Sequence, residues 1–66
     1  GDEKYEALGI PKEWIAVVKK AGYQTVEALK AVGNTNKLHQ ELCGINKKEK
    51  LGWSGLTPEE VKKWLA

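Results

Sequence analysis

Glycine and proline interrupt this chain so often that it can fold only as a set of short helices. Gly9, Gly22, Gly33, Gly44, Gly52 and Gly55 divide it into segments of a few turns each. A glycine can end a helix by taking the left-handed backbone just past its C-terminus, and Pro11 and Pro58 suit a first helical turn. The spacing predicts helices over 2–8, 11–21, 26–32, 37–43, 47–51 and 58–66. Thr25 caps the third, Thr35 or Asn36 starts the fourth, and Thr57-Pro58-Glu59-Glu60 combines a cap, a first-turn proline and two carboxylates at the positive helix end. On the second helix Trp14, Ile15, Val17, Val18 and Ala21 make an apolar band, and Val61, Trp64 and Leu65 do the same on the last. Leu38 and Leu42 lie one turn apart on the fourth. The expected core adds Leu8, Ile10, Tyr23, Val26, Leu29, Ile45, Leu51 and Leu56. No stretch alternates with period two long enough to be a strand. The fold class is therefore all-α, a bundle of about five or six short helices in one domain, 1–66.

With 41% hydrophobic and 30% charged residues in 66, the composition is that of a small folded domain rather than a disordered tail. No apolar run approaches the roughly eighteen residues of a membrane helix, so no membrane contact is expected. Gly1-Asp2-Glu3-Lys4 is too acidic for a signal segment, and Gly1 in place of Met reads as the remnant of a cleaved tag. Cys43 is the single cysteine, which rules out an internal disulfide and suits a reducing, cytoplasmic setting. Nothing suggests a coiled coil, and a monomer is expected.

The stretch Leu42-Cys43-Gly44-Ile45-Asn46-Lys47-Lys48-Glu49-Lys50-Leu51 carries the functional signal. It reads as a helix-hairpin-helix. Gly44 ends one helix, Ile45 plugs the turn from below, and Asn46 caps the next helix, whose free N–H groups form an anion site. Lys47, Lys48 and Lys50 then neutralise phosphates, making Gly44, Asn46, Lys47, Lys48 and Lys50 a candidate nucleic-acid site. The simpler reading is an ordinary turn between two helices. All eleven basic residues are lysine and the net charge is +2. Without a guanidinium fork, bidentate reading of guanine or phosphate is excluded, leaving salt-sensitive backbone contacts.

Trp53 sits in a glycine-rich loop beside these lysines, where it can stack on a base, dock a protein partner or fold back over the core. His39 and Cys43 share a helix face, but two ligands fall short of the three or four that zinc takes. A Cys–His nucleophile would further need an oxyanion site and a substrate pocket. Glu59 and Glu60 are adjacent and serve the helix start. No metal, cofactor or catalytic residue is expected.

Two resemblances add to this. Leu8-Gly9-Ile10-Pro11 and Lys19-Lys20-Ala21-Gly22-Tyr23-Gln24-Thr25-Val26-Glu27-Ala28-Leu29 resemble the opening of the C-terminal domain of the α chain of RNA polymerase, which implies a compact helix-hairpin-helix relative. Pro11-Lys12-Glu13-Trp14-Ile15, the string from Asn36 to Lys48 and Pro58-Glu59-Glu60-Val61-Lys62-Lys63-Trp64-Leu65 resemble the domain appended to the C-terminus of lysyl-tRNA synthetases of the Bacteroides group. That second likeness covers nearly the whole chain and implies a non-catalytic appendage with an auxiliary tRNA contact. The alternative is an interaction scaffold, natural or engineered, that binds a protein through Trp53 and its neighbours.

Overall fold

Five helices follow one another in the computed structural model, which describes residues 2–66; the reading of Gly1 lies outside the described residues. They are α1 (Glu3–Ala7), α2 (Lys12–Lys20), α3 (Val26–Lys30), α4 (Thr35–Lys48) and α5 (Pro58–Leu65). No strand occurs among the described residues. Helix α4 lies at the centre, packed against α2 and α5, while α1 leans on α2. The Cα radius of gyration is 10.6 Å, close to the roughly 11 Å expected of a folded chain of this length.

Local chemistry explains most of the boundaries. Thr25 Oγ1 accepts from the Ala28 N–H at 3.0 Å and Thr57 Oγ1 from the Glu60 N–H at 3.3 Å, as their positions predict. Helix α4 begins slightly earlier than expected, because Asn34 Oδ1 accepts from the Lys37 N–H at 3.0 Å and caps it. The core unites Ile10, Trp14, Ile15, Val17 and Val18 with Leu29, Leu38, Leu42, Val61 and Trp64. Tyr5 joins them unforeseen: it is buried, and its hydroxyl donates to the Tyr23 carbonyl at 2.8 Å, tying α1 to the turn after α2.

The hairpin at Gly44 is not formed. The two helices expected over 37–43 and 47–51 are one continuous helix of 14 residues, and Gly44 lies inside it. The stripe Leu38, Leu42, Ile45 recurs at helical spacing, with the two leucines fully buried and Ile45 packed on the core. An interior glycine costs a helix about 1 kcal/mol. Each buried leucine or isoleucine contributes about 1.5 to 3 kcal/mol, so the stripe wins. Ile45 is thus a rung of the stripe and not a plug beneath a turn. Asn46 caps nothing, and the N–H groups around it belong to the helix interior, where they bond to the preceding turn.

The real end of α4 comes at Lys50, the one non-glycine residue with positive φ among the described residues, at +54°. The Leu51 N–H donates to the Asn46 carbonyl at 3.0 Å and the Lys50 N–H to the Lys47 carbonyl at 3.2 Å. This is a Schellman cap, and α2 ends in the same way with Gly22 at the left-handed position.

A β-carbon added at Gly44 would meet nothing within 4 Å. Gly44→Ala is therefore expected to stabilise the fold by about 0.5 to 1 kcal/mol in urea denaturation. A glycine hinge with positive φ at this position requires destabilisation instead.

Candidate nucleic-acid interface

The candidate site residues occupy the last turns of α4 and the loop after it. Lys47 and Lys48 fall in the final turn, Lys50 comes next in the cap, and all three are exposed. Gly44 is exposed one turn earlier. Glu49 is the one carboxylate among them, and it pairs with Lys20 of α2. None of Lys47, Lys48 and Lys50 takes part in an ion pair among the described residues. Exposed pairs contribute little to stability, on the order of 0 to 1 kcal/mol. The Lys20–Glu49 contact matters more for the local field, since it neutralises the only acid in the group. Lysine positive charge also suits the negative end of the α4 dipole.

Asn46 has a role its sequence position does not suggest. Its side-chain amide bonds to the backbone of Trp53 twice: Nδ2 donates to the Trp53 carbonyl at 2.6 Å, and Oδ1 accepts the Trp53 N–H at 3.0 Å. Two turns earlier on the same face, His39 Nε2 donates to the Leu56 carbonyl at 2.9 Å. The loop between α4 and α5 is thus strapped to α4 at two points, with Gly52 and Gly55 at positive φ letting it turn between them. Sequence reasoning missed both straps. The only available signal was the seven-residue spacing of His39 and Asn46, which places them on one face.

Trp53 is the one large hydrophobic side chain exposed among the described residues, at 41%. It is not a member of the buried core cluster. Its backbone is fixed by Asn46 while the residue stays exposed.

Cys43 Sγ lies 3.5 Å from His39 Nε2. That nitrogen carries its proton, because the Leu56 carbonyl beyond it can only accept. It has no lone pair with which to take the thiol proton or bind a metal. Burial pushes the Cys43 thiol above its ordinary range, which favours the protonated, unreactive form. Among the described residues no three His, Cys, Asp or Glu side chains gather closely enough to hold a metal ion. Nearby, the Tyr23 hydroxyl donates to Glu41 Oε1 of α4 at 3.0 Å; burial first, and then this bond, hold the phenol proton more tightly.

No helix is long and apolar enough to cross a membrane among the described residues. Over 62 residues the chain is 47% identical to the lysine–tRNA ligase of one strain of Porphyromonas gingivalis and 45% identical to that of another. The match takes in 94% of this chain and 11% of each ligase, so the chain spans about a ninth of the length of these relatives. It is similar to a small part of a lysine–tRNA ligase, in line with the resemblance its residues suggest. No protein-family model matches it, and no solved structure does.

Two substitutions separate the parts of this site. Asn46→Ala removes both bonds to Trp53, and amide exchange at Trp53 is expected to quicken by roughly five- to thirtyfold while Leu38 and Leu42 stay protected, from about 1 to 2 kcal/mol of lost bonding. Lys50→Gly relieves the left-handed strain, and the melting temperature is expected to rise by roughly 4 to 8 °C, for about 1 kcal/mol gained.

Proposed function

We propose that this chain is a non-catalytic accessory domain of a lysine–tRNA ligase, joined to the enzyme's C-terminus and working in the cytoplasm, where it holds tRNA through phosphate contacts. The observation that carries this is the 47% identity over 94% of the chain to a piece of such a ligase. A piece covering 11% of the enzyme leaves the remainder of the ligase to carry the aminoacylation machinery. The wrong-tautomer imidazole and protonated thiol of the His39–Cys43 pair fit a domain without chemistry of its own. The domain acts as a monomer and takes no cofactor.

Lys47, Lys48 and Lys50 neutralise phosphates, with Gly44 leaving the backbone open to approach one turn upstream. Asn46 contributes by holding the loop beside them. The competing reading is a protein partner docked on Trp53, favoured by the exposure of that ring. Salt separates the two. Three lysine–phosphate contacts imply that tRNA affinity falls roughly twenty- to fortyfold between about 50 and 200 mM salt. In an NMR titration with bulk tRNA, the expected result is shifts centred on 44–50 that salt reverses. The double substitution Lys47→Glu/Lys48→Glu is expected to weaken binding by about tenfold or more. Unchanged spectra at low salt sink the phosphate reading, and binding that ignores salt but needs Trp53 favours the protein partner.

A further inference from the structure

The geometry points to Trp53 as a stacking platform for one unpaired base, so that this surface selects single-stranded RNA over duplex; this rests on the phosphate-contact reading above. Lysine ammonium groups are point charges that meet any phosphate, in a helix or out of it. They supply attraction and no discrimination. A flat aromatic ring supplies what they lack, because a base can stack on it only when it is free of its neighbours in a duplex.

Three observations place such a ring here. Trp53 alone among large hydrophobics stands exposed in the described residues, at 41%. Its backbone is clamped by both ends of the Asn46 amide, at 2.6 and 3.0 Å, and the loop is caught again at Leu56 by His39. A loop fixed before binding loses little backbone freedom when a base settles on its ring. Finally, the clamp residue itself is followed directly by Lys47 and Lys48, and Lys50 lies three residues before Trp53. Exposed cations thus share the end of α4 to which the Trp53 backbone is strapped, within reach of the phosphates of a strand whose base stacks there. Lys20 holds the one carboxylate of this group, Glu49, in an ion pair, which keeps it from repelling them.

An RNA strand is favoured over a protein surface because the end of α4 that holds the loop of Trp53 is rich in exposed lysine. A protein hot spot prefers an apolar surround that excludes water, and the flanking residues here are the exposed Gly52, Ser54 and Gly55, with exposed lysines on the adjoining end of α4.

The test uses the 66-residue chain, a dye-labelled single-stranded oligoadenylate and an RNA duplex of the same length, compared by fluorescence anisotropy at low salt. The single strand is expected to bind more tightly than the duplex. Trp53→Ala is expected to lower single-strand affinity by about tenfold and leave duplex affinity unchanged, while Trp53→Phe keeps most of the preference. Upfield shifts of the bound adenine protons with the unsubstituted chain, absent with Trp53→Ala, identify stacking directly. Far-ultraviolet circular dichroism of each variant checks that the helices persist. Equal affinity for both RNAs, or a single-strand affinity indifferent to Trp53→Ala but lowered by Lys47→Glu/Lys48→Glu, overturns the stacking platform and leaves the phosphate contacts standing. Binding to neither RNA overturns both.

Discussion

The stripe formed by Leu38, Leu42 and Ile45 is the constraint on which the rest of this structure depends. By packing against α2 and α5 it makes α4 the central helix. It also carries the helix through Gly44, where intrinsic propensity argues for a stop. Had the helix broken there, Asn46 would point elsewhere and Lys47 would open a helix rather than close one. The burial of a few aliphatic side chains therefore decides where every polar group of the candidate site stands. This is tertiary packing overriding local preference, and the energies involved, about 1 kcal/mol against several, leave little contest.

The path of the chain beyond α4 depends on how that helix ends. The helices α1 and α2 close with the same pair of backbone bonds as α4, using Gly9 and Gly22 at the left-handed position. Helix α4 uses Lys50 instead and bears the strain of a β-carbon there. Leu51 is thereby returned to the core, and the chain doubles back beside α4. Only after that reversal can Asn46 reach the Trp53 backbone and His39 the Leu56 carbonyl. The straps and the cap are one device. The cap sets the direction of the loop, and the straps set its height along the helix.

Much of this is legible in the sequence, for reasons that differ by residue. Thr25, Thr57 and Pro58 announce helix starts through short-range chemistry, and the structure places them there. Trp14, Val17, Val18, Val61 and Trp64 follow the period of their own helices and are buried. Apart from the Asn34 cap, which is local, the failures are non-local. Tyr5 lies in a five-residue acidic helix with no periodicity to display, and it is buried by residues of other elements, with its hydroxyl bonded to the Tyr23 carbonyl. Gly44 reads as a stop because a glycine announces flexibility, whereas the competing term comes from α2 and α5. Asn46 reads as a cap for the same local reason, while its partner lies seven residues on, across a reversal of the chain. Lys47, Lys48, Lys50 and Trp53 stand out by kind and spacing, and the structure leaves all four exposed.

The absence of arginine ties these threads together. A lysine-only surface attracts phosphate over a Debye length of about 8 Å at physiological salt, but it cannot fix the orientation of what it attracts. Orientation has to come from a group with shape. In this chain the exposed group with shape is an indole whose backbone is held by two hydrogen bonds and whose loop is held by a third. In the proposed RNA contact, a ring on an anchored loop and flexible charges divide the work between them. On that proposal the charges would set how strongly a polyanion is drawn in and how steeply salt weakens it, and the ring would set which part of it can stay.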